Sequence, residues 1–324
     1  MKETIDPIKQ KSLIRINQQN FFSRSHYSET YDILSINFES LINSSAPLTS
    51  KKAGMVKMLL KELISHLSID YNEILKLTLI SNRKKFQIYN SINVCLLSLL
   101  IGRALNYSDE ELLELGFAAL MHDIGMFAME GMIYTAETFS KEQRENILQH
   151  PGNGLLLLDR FTQVTADLEK AVIQEHERED GSGYPEGIRG KNIHEFAKII
   201  AIADCFEALT HFRPYRKCAR PYDAIQTVLQ LSKSQLDRIM ANSLVNALSV
   251  YPPGTCARLA SGEVGMVTKV NEGAPLSPVV CLCYDRDGHE IKESTTIDLH
   301  REKENYIMRV IDLEWSTQPE SYLA

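Results

Sequence analysis

Between Lys51 and about Ser249, apolar residues recur at three- and four-residue spacing, most clearly in "MVKMLLKELISHL", "INVCLLSLLIGRAL" and "ELLELGFAALM". That spacing places them on one stripe of an α-helix, so the stretch is predicted to be helical almost throughout. Two helix starts are marked. Ser108 with Glu111, and Ser140 with Gln143, fit the capping box, in which each side chain satisfies a free backbone donor at the helix entrance. At "YPPGT" the period changes from that of a helix to that of a strand. "CARLASGEVGMVTKV", "SPVVCLCYDRDGHEI" and "TTIDL" then read as strands joined by Gly- and Asp-containing turns. The expected fold class is mainly α: a helical bundle with a helical N-terminal extension and a small C-terminal β appendage. The expected limits are 1–84 for the extension, a candidate regulatory region, 85–249 for the bundle and 250–324 for the β-rich region. No internal repeat or low-complexity tract is apparent.

With 324 residues and 44% hydrophobic content, the chain can bury one large core or two modest ones. The longest apolar run, "VCLLSLLI", ends near Arg103 and falls short of the roughly 20 residues that a membrane helix needs. No membrane insertion is expected. The N-terminus lacks the apolar core and small-residue cleavage site of a secretory signal, so the cytoplasm is the expected location. The six cysteines show no CxxC spacing and read as reduced packing residues. A formal charge of −7 argues against nucleic acid or anionic membrane as a partner. An anionic ligand would have to rely on a local basic cluster or a metal.

Candidate chemistry interrupts the helical pattern. His122 in "LMHDIGM", His150 in "ILQHPGNG", His176 in "IQEHERED" and Asp204 in "IIAIADCFEALT" each break an otherwise apolar face. A bundle can project ligands inward from several helices, and imidazole with carboxylate suits iron, manganese or zinc. Asp123, beside His122 in apolar surroundings, is costly unless paired or bound to a metal, and Asp204 makes the same argument. His150, followed by Pro151 and Gly152, also fits a helix kink. Glu175 and His176 also fit solvated residues at a helix end. Histidines 26, 66, 194, 211, 289 and 300 lack such company and read as surface or packing residues. The stretch "HEREDGSGYP" that follows Glu175 is rich in the residues that turns use.

"HDIG", "HPGNG", "HEREDGSGYPEGIRG" and "IIAIADCFEALTHFRPYR", in this order, resemble the HD-GYP family of bacterial cyclic di-GMP phosphodiesterases, from about Lys85 to Gln230. The resemblance makes the bundle an HD-type domain, and the β tail looks like the one that often follows it. It implies a binuclear or trinuclear iron or manganese site, with a metal-bridging hydroxide attacking a phosphodiester. His122, Asp123, His150, His176 and Asp204 match ligand positions, with Asp123 as the bridging carboxylate and Glu175 as a sixth candidate. Catalytic roles fall to Asp123, Tyr184 and Arg213. Substrate contacts fall to Arg178, Asp180, Gly183, Tyr184, Pro185, Arg213 and Arg216. The implied reaction converts cyclic di-GMP to pGpG and on to GMP. A signalling-protein partner or a homodimer is the other implied association.

Three positions depart from the family pattern. Glu175-His176 stands where two adjacent histidines are usual. Met126 follows HDIG where lysine is usual, and cannot contact phosphate as lysine does. The helix that carries an extra histidine and glutamate in trinuclear members has Phe86 and Asn90 here, so two metals are expected, iron or manganese before zinc. These departures leave a second reading open: a catalytically silent HD-GYP protein that binds the nucleotide or a protein partner.

Overall fold

The structure, a computed structural model, describes residues 3–4, 26–43, 50–129, 140–158, 164–211, 218–293 and 295–312. Two compact units divide the chain. The larger holds residues 26–218 and 227–244, and the smaller holds 219–226 and the chain from 245 onward, together with the short strand at residues 3–4.

In the larger unit α1 (His26–Ile42), α2 (Ser50–Leu67) and α3 (Tyr71–Leu77) precede α4 (Phe86–Ala104) and α5 (Asp109–Met121). Then come α6 (Lys141–Leu148), α7 (His150–Leu158), α8 (Ala166–Gln174) and α9 (Glu195–Thr210). α10 (Pro221–Leu231) and α11 (Arg238–Leu248) follow, each with residues in both units. α4 is the axis. Every residue from Gln87 to Gly102 is buried, the state expected of a helix that is apolar on all sides. α5 and α9 pack on it. Both capping boxes form as the sequence predicts, at Ser108 and Ser140. No helix among the described residues is long and apolar enough to cross a membrane.

The compact units do not follow the limit expected at residue 84. Tyr31, Leu34, Phe38 and Leu41 of α1, and Val56, Leu60 and Leu63 of α2, are fully buried. α1 packs on α2, α3 and α4, while α2 also packs on α5. The Tyr31 hydroxyl donates to Asn93 Oδ1 of α4 at 2.9 Å. Short amphipathic helices gain little stability alone, and here the bundle itself covers their apolar stripes.

The smaller unit is a six-stranded sheet in the order β1-β6-β2-β3-β4-β5. Its strands are β1 (Glu3–Thr4), β2 (Cys256–Leu259), β3 (Val264–Lys269), β4 (Val279–Tyr284), β5 (Thr296–Asp298) and β6 (Ile307–Asp312). Pairing is antiparallel except between β1 and β6. Ala257, Leu259, Val267, Val280, Leu282, Leu299 and Ile307 form its core. β2 to β5 lie within the strand-like stretches. β1 falls inside the segment expected to be helical, because two residues carry no period and take their conformation from the ladder of β6. The cysteines are free thiols, with Cys95, Cys256, Cys281 and Cys283 buried.

Leu96 is fully enclosed in α4, so Leu96→Ala should lower stability by about 2–5 kcal/mol. Ser108→Ala removes one cap on α5 and should cost about 1 kcal/mol. Denaturant unfolding followed by far-ultraviolet circular dichroism should rank them in that order.

Candidate metal centre

The centre is assembled from helix ends. α5 stops at Met121, and the chain turns through His122 and Asp123 into a 3-10 helix, Ile124–Met129. His122 is fully buried, and its Nδ1 lies 2.8 Å from the Ala119 carbonyl. A carbonyl only accepts, so Nδ1 carries a proton and Nε2 is turned into the cluster. His150 opens α7 in the same way, with Nδ1 at 2.7 Å from the Ile147 carbonyl. Gly125 brings the two turns together. A Cβ on it would overlap the His150 carbonyl oxygen and come within 2.8 Å of the Gly154 nitrogen, so "HDIG" and "HPGNG" fit only with glycine there.

Around His150 Nε2 lie Asp123 Oδ1 at 3.1 Å, His176 Nε2 at 3.1 Å and Glu175 Oε1 at 3.6 Å. Around His122 Nε2 lie Asp123 Oδ2 at 3.5 Å, Glu175 Oε2 at 3.9 Å and Asp204 Oδ1 at 4.0 Å. Ligand atoms of Asp123, His150, Glu175 and His176 all fall within 4.8 Å of one another. The six residues expected as ligands therefore converge, from α5, α7, the end of α8 and α9. Glu175 is 1% exposed rather than a solvated helix end. His122 Nε2 and both Glu175 carboxylate oxygens are buried without a hydrogen bond. Leaving such groups unpaired costs on the order of 1–3 kcal/mol each, more when charged. A cation among them satisfies all three, so the residues fit a metal.

The titrations express the same crowding. Burial depresses His122 and His150, but the carboxylates of Glu175 and Asp123 outweigh it and lift them to about 9 and about 10. Burial pushes Glu175 up to about 6, against the pull of His122 and His150. Burial, with the charge of His150, takes His176 down to about 3. Asp123 is held well below the usual carboxylate range by His122 and His150, which overcome its desolvation.

The glycine-rich turn closes over His176. The Tyr184 ring stacks on the imidazole at 4.7 Å and 20°, and the Tyr184 N–H donates to the His176 carbonyl at 3.2 Å. Gly183 lies so near this strand of chain that a Cβ would overlap the His176 carbonyl and reach 2.5 Å from the Arg178 nitrogen. Arg178 Nη1 donates to the carbonyls of Glu175 and Glu177. Asp180 Oδ1 accepts from the Ser182 backbone and hydroxyl. Pro185 is exposed and follows a cis peptide bond. Arg213 and Arg216 lie outside the described residues. The Met126 carbonyl accepts from Gln87 Nε2 at 3.3 Å.

Two carboxylates escaped the sequence reading. Glu177 is buried, and its Oε1 accepts from the backbone of Glu186 at 2.7 Å and Gly187 at 3.0 Å, anchoring the far side of the turn. In the charged run "HERED" nothing separates it from a solvated residue. Glu207 is also buried, three residues after Asp204, and that spacing on an apolar helix was a usable signal. A second group, Asp285, Asp287 and His289, is largely exposed, and Asp285 is taken up by the backbone of Asp287 and His289.

Comparison with known proteins agrees with this frame. The model of a family described as "HD domain" matches residues 38–240, and one described as "KOW domain associated with HD domain" matches residues 256–318. A cyclic di-GMP phosphodiesterase of Pseudomonas aeruginosa is 29% identical over 231 residues, 71% of this chain and 56% of that protein. A cyclic di-GMP phosphodiesterase response regulator of Xanthomonas campestris is 36% identical over 142 residues, 42% of this chain and 36% of that protein. The chain thus spans about half or less of the length of these relatives. Among solved structures, an HDG"Y"P protein from Bdellovibrio bacteriovorus superposes with a TM-score of 0.58 over 72% of this chain and 76% of that one, at 16% identity, a likeness of fold. With the HD model covering well over half of the residues, and a GYP turn seated on the ligand cluster, the chain belongs to the HD-domain family as an HD-GYP member with a divalent-metal centre.

Proposed function

We propose that this chain hydrolyses cyclic di-GMP to pGpG, and pGpG on to GMP, as a metal-dependent phosphodiesterase. One observation carries the reading: buried, unpartnered His122 Nε2 and Glu175 oxygens converge with Asp123, His150, His176 and Asp204 beneath Tyr184. The similarity to relatives named for this activity supports the choice of substrate. Imidazole and carboxylate donors without thiolate favour iron or manganese over zinc, and two ions suit the six ligands. Bound there, two divalent cations supply charge to the phosphate oxygens and make water more acidic.

The protein's own groups prepare this site. His122 and His150 are fixed in one tautomer by their carbonyl partners, so their Nε2 lone pairs are preoriented. Asp123 presents its two oxygens to different histidines, the arrangement needed for a bridging carboxylate. Burial and the charges of Glu175, Asp123 and Asp204 keep the Tyr184 phenol protonated, so it serves as a hydrogen-bond donor to the nucleotide rather than as a base. Gly183, Pro185 and Asp180 shape the turn on which Tyr184 stands, and Arg178 braces it. Arg213 and Arg216 are assigned to substrate phosphate on the "RPYR" segment alone, where guanidinium geometry suits phosphate.

Anaerobically purified protein should carry two iron or manganese ions per chain by elemental analysis. Three fully occupied sites would refute that number. His122 and His150 sit at about 9 and about 10 without a cation, so both are protonated at neutral pH and must lose a proton to ligate. Metal uptake at neutral pH should therefore release about two protons per chain, measured by calorimetry in buffers of different ionisation enthalpy.

Glu175 adds negative charge to the centre, and Met126 leaves a phosphate oxygen without a cationic partner. Turnover should be slow and rise with pH. Met126→Lys should accelerate pGpG formation by up to about 100-fold, and Glu175→His should move the pH dependence downward. Chromatography of cyclic di-GMP and pGpG decides: if metal-loaded wild type and both variants bind the nucleotide and none cleaves it, the chain is a silent nucleotide sensor.

A further inference from the structure

Asn90 lies in the second turn of α4 and is 4% exposed. Its Nδ2 is 2.7 Å from Glu207 Oε2 and 3.3 Å from Asp204 Oδ1. A carboxamide nitrogen carries two N–H bonds, one for each carboxylate. Both neighbours are acceptors, which fixes the nitrogen, rather than the oxygen, between them. Glu207, 2% exposed, is held from its other side as well: Oε1 lies 3.7 Å from His211 Nδ1. His211 Nε2 faces Asn93 Nδ2 at 3.4 Å, and Asn93 Oδ1 accepts from the Tyr31 hydroxyl of α1 at 2.9 Å. A continuous run of buried polar groups thus leads from α1 through α4 and α9 to one oxygen of Asp204.

We propose that Asn90 is a positioning residue for Asp204. Its amide sets the angle at which Asp204 presents Oδ1 toward His122 Nε2, and Glu207 is the anchor that keeps the amide in place. Two carboxylates this close in an apolar bundle repel one another unless something positive stands between them. Asn90 supplies that with the partial charge of two N–H groups. Without the amide, Asp204 turns away from Glu207 and its ligand oxygen loses its fixed direction. This role rests on the metal-centre reading given above.

Cobalt(II), bound to the whole chain, reports the geometry through its visible absorption. Asn90→Leu should weaken one of two cobalt equivalents by about 10–100-fold, the usual cost of losing a ligand's outer partner, and displace the spectrum. The double variant Asn90→Asp with Glu207→Gln exchanges donor and acceptor between positions 90 and 207. It should recover the melting temperature of the metal-free wild type, because the buried amide–carboxylate bond is remade. Its cobalt affinity and spectrum should stay displaced, because nothing at position 90 then donates to Asp204. Should the double variant fail to fold, Asn90→Ser, too short to reach either carboxylate, gives the same expected loss. Recovery of affinity and spectrum together with melting temperature would make the bond merely structural and overturn the proposal. So would wild-type affinity in Asn90→Leu or Asn90→Ser, or a third cobalt equivalent in the wild type, which needs the amide oxygen turned inward. Wild type that takes up no cobalt would overturn the metal centre itself and, with it, the role of Asn90.

Discussion

Ionisable side chains without protein partners, buried among helices, are the constraint around which the larger unit is arranged. His122 Nε2 and both oxygens of Glu175 have neither water nor a hydrogen bond. An apolar bundle tolerates such groups only if something else compensates them. The neighbouring charges do so in part, raising His122 and His150 and lowering Asp123, but each carboxylate brought in to neutralise an imidazole adds to the negative charge elsewhere. Cations resolve this without further residues. The helices must therefore end, turn and start again around one point, and α4, buried along almost its whole length, is the support from which the others reach it.

Rigidity of the ligands follows from backbone geometry more than from side-chain contacts. The two carbonyl-bound imidazoles cannot rotate without losing a hydrogen bond in a dry interior. The contact at Gly125 fixes the distance between their helix ends, and there a methyl group would push the turns apart. On the solvent side, Glu177 gathers two backbone N–H groups of the glycine-rich turn, and Tyr184 stacks on the ligand His176. The turn that covers the site is therefore tied to the same short segment, Glu175 to Glu177, that supplies ligands to it. Movement of either disturbs both.

The replacement of histidine by Glu175 changes the electrostatics rather than the architecture. Its carboxylate faces His122 with one oxygen and His150 with the other, so it spans the two halves of the cluster much as Asp123 does. A cluster with three acids beside three imidazoles holds cations strongly and leaves them less able to acidify water. Near Asp204 the chain avoids a further charge by using an amide, Asn90, in contact with two carboxylates.

Periodicity alone determined the helical class, the change to strands after "YPPGT", and both capping boxes, because these depend on neighbours three or four residues apart. The six ligand candidates were legible for a related reason: a polar residue interrupting an apolar helix face is visible along the chain, and the four motifs carry their own glycines. What the sequence could not settle depends on groups far apart in it. The attachment of α1 and α2 to α4 and α5, the parallel pairing of Glu3–Thr4 with Ile311 and Asp312, and the burial of Glu175, Glu177 and Glu207 are set by which surfaces meet. A charged side chain reads the same in a string whether water or a bundle surrounds it, and only tertiary packing removes the water.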